Sequence, residues 1–179
     1  MGNLGAGNTF ASGAHIQITA GKVKSKATWR PQTVPYEASE EISVDERGEL
    51  TLQPGVDVSF AAGTQLSVGY GADATLKAAG TADKPNRLRG AHDEPGAWKG
   101  VFFYEHARGS ELTNARVEDT GGEAGVQVQD GAIVKVGDVT CAKCENAAVT
   151  STCKAKLTLG TVKAESGTPK GVVKPENCQ

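Results

Sequence analysis

Leu112, Val134 and Leu157 stand 22 and 23 residues apart, and Val117, Val139 and Val162 repeat those intervals five residues later. Val126, Val149 and Val172 follow at 23 and 23. Val101 precedes Val126 by 25, a surplus the loop Glu105–Gly109 absorbs. Three sets of apolar residues sharing one period describe a chain that returns to the same face on every circuit, so that equivalent side chains stack one rung above another. An antiparallel sandwich has no reason to keep such a period. Successive rungs would run parallel about 4.8 Å apart and bond to each other through their backbones. Before residue 100 the period is looser, with Ile42 to Leu66 and Leu50 to Ala74 both at 24.

The local pattern supports strands throughout. Ile42-Ser43-Val44, Leu50-Thr51-Leu52, Val56-Asp57-Val58, Leu66-Ser67-Val68, Val126-Gln127-Val128, Val134-Lys135-Val136 and Leu157-Thr158-Leu159 each alternate apolar, polar, apolar. Such triplets bury one face and wet the other. Turn residues separate them, and the 23 glycines supply many tight corners. No stretch holds helical spacing over three turns. The expected fold is all-β, a parallel β-helix (solenoid) of about six rungs, each of about 22–24 residues with three short strands. Residues 1–35 are expected to be a cap or lead-in segment and 36–179 the solenoid domain.

Composition bounds the function. A net charge of −2 leaves no large basic footprint, so nucleic acid is not an expected partner. No apolar run reaches the roughly 18 residues of a spanning helix, and direct membrane insertion is not expected. The first residues lack a basic, apolar signal sequence, and the chain reads as a fragment or mature form. Four cysteines at 141, 144, 153 and 178 cluster in the last quarter. An even, clustered set favours disulfides and an oxidising compartment, with zinc or free thiols as the rivals. Cys153 and Cys178 fall near the same turn of adjacent rungs, which suits a bridge. Cys141 and Cys144 would then close a local loop, while the other pairing joins Cys144 to Cys153. Either would pin the final rungs against fraying.

Trp29 and Tyr36, then the run Gly48–Phe60, then Leu66–Gly69, Leu76–Pro85 and Gly96–Phe103, resemble right-handed parallel β-helix domains of bacterial secreted and cell-surface proteins, including lipoproteins. The resemblance spans about residues 29–175. It implies a right-handed coil, export and a surface role, and it transfers no catalytic residue.

No catalytic residue, metal site or cofactor is expected. Glu118-Asp119 is followed one rung on by Thr140-Cys141 and then Lys163-Ala164, so carboxylates do not recur on that face. Gly121–Gly125 lacks the aspartates of calcium-binding turns. The segment Trp98–His106 holds four of the nine aromatic residues. Within it Val101 and Phe103 face one way and Phe102 and Tyr104 the other. Trp98, Phe102, Tyr104, Glu105 and His106 are therefore the candidate binding residues, able to stack on a sugar ring or seat a protein. The expected function is a non-catalytic extracellular or cell-surface scaffold, adhesion or binding module whose partner is a glycan or a surface protein. The alternatives are a carbohydrate-active enzyme or carbohydrate-binding β-helix, and a subunit that self-associates through its coil ends.

Overall fold

The computed structural model describes residues 8–19 and 21–174. Among them every regular element is a strand, and all strand pairings are parallel. The chain is a β-solenoid of about seven turns. The first turn holds β1 (Ile16–Ile18), β2 (Gly21–Val23) and β3 (Lys26–Trp29), and the second β4 (Tyr36–Ala38), β5 (Ile42–Val44) and β6 (Glu49–Leu52). The third holds β7 (Asp57–Phe60), β8 (Leu66–Val68) and β9 (Thr75–Ala79). There follow β10 (Asn86–Gly90), β11 (Val101–Phe103), the long β12 (Arg108–Glu118), β13 (Val126–Val128) and the long β14 (Ile133–Ala142). The last are β15 (Ala147–Ser151), β16 (Lys156–Leu159), β17 (Val162–Glu165) and β18 (Lys170–Val173).

Three faces result. The first stacks β1, β4, β7, β10, the later halves of β12 and β14, and β17; the third stacks β3, β6, β9, the earlier halves of β12 and β14, and β16. These two fuse into one sheet through β12 and β14. The second face is a separate seven-stranded sheet, ordered β2, β5, β8, β11, β13, β15, β18. The corner inside β12 and β14 is turned by single residues in the left-handed region, Asn114 (φ 46°) and Asp138 (φ 52°). Asn and Asp adopt that conformation more readily than other residues with a Cβ, so the strand bends without a loop.

The interior is the stack of inward side chains. On the second face Ile42, Leu66, Val101, Val126, Val149 and Val172 form one column, and Val23, Val44, Val68, Phe103 and Val128 form another. The 24-residue step from Ile42 to Leu66 and the 23-residue steps through Val126, Val149 and Val172 follow the expected period. Two face-to-face ring pairs fill the wider turns, Trp29 on Tyr36 at 5.0 Å and Phe60 on Trp98 at 4.1 Å. Each fully buried aliphatic side chain contributes about 1.5–3 kcal/mol.

Three expectations shift. The turns number about seven rather than six, because residues 16–29 pair in register with the second turn. Leu50 pairs with Leu76, not Ala74. Val139 and Val162 share a column, but Ala115 sits below Val139, and Val117 stacks between Leu88 and Cys141. Likewise Val134 lies over Ser110 and Leu112 lies under Val136. The step from β12 to β14 is 24 residues over most of its length, and a slip of two leaves every side chain on its own face, so the apolar pattern alone does not distinguish 22 from 24.

Candidate functional site

On most strands the outward side chains are solvated. Some are buried on every face: Ser67 and Gln127 on the second, Ser59 and Glu118 on the first, and Thr113 on the third. On the second face, paired positions place Lys22, Ser43, Ser67, Phe102, Gln127, Thr150 and Val173 in one outward column, one per turn. The segments entering and leaving each strand rise on either side of this column and make it the floor of a groove. Four cavities of about 390, 440, 300 and 380 Å³ run along it. The first and second share Tyr70, the second and third share Gln129 and Asp130, and the third and fourth share Glu123 and Thr150. They form one trough parallel to the solenoid axis.

The aromatic candidates divide as strand alternation requires. Val101 and Phe103 are inside, while Phe102 and Tyr104 face out with their rings stacked at 6.0 Å. Trp98 is 1% exposed: its ring lies on Phe60 and its Nε1 donates to the Glu118 carbonyl at 2.7 Å. It braces the interior and offers no surface to a ligand. Glu105 is exposed in the groove wall, and its carboxylate lies 3.2 Å from His106 Nε2. His106 Nδ1 faces Asp73 at 3.4 Å, so the imidazole is held between two carboxylates.

Sequence reasoning missed Tyr70, which is 67% exposed and meets Tyr104 edge-on at 5.0 Å. Its signal lies in the rung alignment. Val68 pairs with Phe103, which sets Gly69 level with Tyr104 and Tyr70 level with Glu105. Gly69 has φ 69°, and a Cβ there would lie 2.3 Å from the Ala107 nitrogen, so only glycine lets the chain turn and carry Tyr70 over the groove.

Carboxylates line the trough. Ser67 Oγ donates to Glu41 Oε1 at 2.5 Å. Burial pushes the Asp45 carboxyl up, but the amides of Glu46, Ala72 and Gly71 together with Lys22 outweigh it and hold it below the usual carboxylate range. The Thr152 hydroxyl and the Lys154 amide hold Asp130 low as well. Glu123 lines the same cavity as Asp130. Both Asp45 and Asp130 are therefore ionised near neutral pH.

A second polar cluster lies on the first face. Arg87 and Arg116 both bond the Glu118 carboxylate, Arg116 also reaches Glu165 at 3.3 Å, and Arg89 pairs with Asp57 at 3.2 Å. Next to it Asp119 is 2% exposed, and its Oδ1 has no hydrogen-bond partner. Burial and the negative charges of Glu118 and Asp93 push its carboxyl up. Glu118 is held between two guanidinium groups on adjacent turns, which makes this cluster a brace.

Cys141 and Cys144 form a disulfide closing a loop of separation 3, with both residues buried. That removes the Cys144–Cys153 pairing and commits two of the thiols a zinc ion would need. Cys153 is also disulfide-bonded; Cys178 lies outside the described residues. Among the described residues no group of three or more His, Cys, Asp or Glu is arranged to hold a metal ion. No helix is long and apolar enough to cross a membrane. Comparison with protein-family models, with curated proteins and with solved structures finds no match to this chain.

Proposed function

We propose that this chain is a non-catalytic binding module of a bacterial secreted or cell-surface protein, and that the trough on the second face is its binding surface. The observation that carries the reading is the continuity of the four cavities along the axis, with the exposed ring of Tyr70 and the half-buried ring of Tyr104 at their centre. A rigid parallel stack holds such a surface in one shape, because each rung is fixed by its neighbours above and below. Disulfide-bonded cysteines fit an oxidising, exported setting. The ionised Asp130 carboxylate lines this surface beside Glu123 and offers a charged contact to a ligand.

The enzymatic reading keeps one specific support, two carboxylates lining one cavity. Release of reducing ends from a polysaccharide panel, lost in Glu123→Gln, would establish it in place of the binding reading. Self-association through the ends has less support. Lys22, Lys24 and Lys26 of the first turn are already paired with Asp45, Glu46 and Glu49 of the second, so that end offers no uncompensated charge to a second copy. The test of the binding reading is a glycan and surface-protein array probed with the wild-type protein and with Tyr70→Ala/Tyr104→Ala. Retention of a ligand by the wild type and its loss in the variant support the proposal. A silent array, or binding indifferent to both tyrosines, overturns it.

A further inference from the structure

Resting on the trough being a binding surface, we infer that its ligand is a linear glycan bearing amino groups, laid along the solenoid axis at about one sugar per turn.

The floor sets the repeat. Ser43, Ser67, Phe102, Gln127 and Thr150 stand in one column on five successive turns, spaced by the rung height of about 4.8 Å. That step is comparable to one sugar residue in an extended chain, so each unit meets a similar environment. An extended peptide is a poorer occupant. It would bind by adding a strand to an open sheet edge, whereas the floor strands β5, β8, β11, β13 and β15 are paired on both sides. What the floor leaves accessible is the half-buried hydroxyls of Ser43 and Thr150 and the ring of Phe102, because Ser67 and Gln127 are buried and bonded to Glu41 and the Ala124 carbonyl. At the centre Tyr70 stands 67% exposed, edge-on to Tyr104. Its ring faces suit the apolar face of a pyranose.

Charge chooses among glycans. The exposed wall residues along the middle of the trough are Glu41, Glu105, Glu123 and Asp130. Glu41 already accepts from Ser67, Glu105 from His106 when that ring carries its proton on Nε2, and Asp130 from the Lys154 amide. The Thr152 hydroxyl bonds Asp130 as well. The lysines of the lining, Lys22 and Lys170, stand at the two ends, and Lys154 offsets part of the charge at Asp130. A trough negative along its centre attracts ammonium groups and repels uronate or sulfate.

Titration calorimetry with three matched hexasaccharides tests this: β-1,4-linked glucosamine, its neutral glucose counterpart and α-1,4-linked galacturonate. The buffer is held at about pH 6, where the sugar amine is protonated. At low salt the glucosamine hexamer should bind about tenfold or more tighter than the neutral one, and the advantage should shrink at high salt. Affinity should climb with oligomer length and level off at about five sugars. Glu105→Gln/Glu123→Gln should erase the amine preference while its far-ultraviolet circular dichroism and urea midpoint stay those of the wild type, which separates lost charge from lost folding. Equal affinity for the neutral hexamer, or tighter binding of galacturonate, overturns the amino-glycan inference and leaves the binding module standing. No binding of any hexamer overturns the inference; if the array is silent too, the module reading falls with it.

Discussion

Removing the Trp98 ring should cost stability and not binding chemistry. Its side chain is 1% exposed, lies parallel to Phe60 with ring centroids 4.1 Å apart, and donates to the Glu118 carbonyl. Truncation of a buried tryptophan to alanine costs about 3–5 kcal/mol. The stacked pair adds about 0.5–1.5 kcal/mol beyond burial, which places Trp98→Ala near the top of that range. With a urea slope of about 3 kcal/mol/M, a loss of about 4.5 kcal/mol lowers the midpoint by about 1.5 M. Trp98→Phe keeps a ring against Phe60 but loses the N–H bond and part of the buried indole, so its deficit should be about 1–3 kcal/mol and below that of Trp98→Ala. Urea titration followed by far-ultraviolet circular dichroism measures both, and because stacked turns can open separately, hydrogen exchange at residues 86–103 and 117–121 should locate the loss. The ligand affinity of Trp98→Phe should equal that of the wild type. A midpoint that moves by less than about 0.3 M in Trp98→Ala, or a folded Trp98→Phe that no longer binds, would refute the assignment of this ring to the interior.

Other perturbations reach separate parts of the coil. Asp119→Asn should stabilise the fold at neutral pH. The native carboxyl is raised above its unfolded value, so the folded state binds the proton more tightly and wild-type stability falls as pH climbs from the ordinary carboxylate range through the raised value. Asparagine tolerates the φ of 66° there, so the gain should vanish in acid below that range, and thermal melts across pH would expose a constant difference if the reasoning is wrong. Replacing Cys141 and Cys144 by serine opens a loop of separation 3 and should cost about 2 kcal/mol on chain entropy alone. Faster hydrogen exchange should appear first in β14 to β18, and protection equal to that of the oxidised wild type would count against a pinning role. Asn86→Ala removes a nitrogen that donates to the Leu52 carbonyl and an oxygen that accepts from the Val56 amide, which keeps its bond to the Gln53 carbonyl at 3.2 Å, so the cost should be about 1–3 kcal/mol, chiefly at the Leu52 carbonyl. A denaturation midpoint unchanged in that variant would mean that the corner rearranges to satisfy that carbonyl.

The amino-acid pattern carried the solenoid and the parity of its strands. Val126, Val149 and Val172, and Phe102 with Tyr104 against Val101 with Phe103, lie where alternation and period place them, because burial on one face is written residue by residue. Register between turns was not carried. A shift of two residues preserves the face, so Val117 beside Val139 and Val117 beside Cys141 look alike until backbone pairing chooses, which here gives the second. The trough belongs wholly to the tertiary level. Glu41, Tyr70 and the pair Glu123 and Asp130 come from three different turns, and their common wall exists only because each turn leaves the second face at the same height as its neighbours. Trp98 makes the same point from the other side: its neighbours in the chain suggested a ligand platform, and the 35-residue turn from Leu66 to Val101 folds it inward onto Phe60, where apolar burial outweighs any surface role.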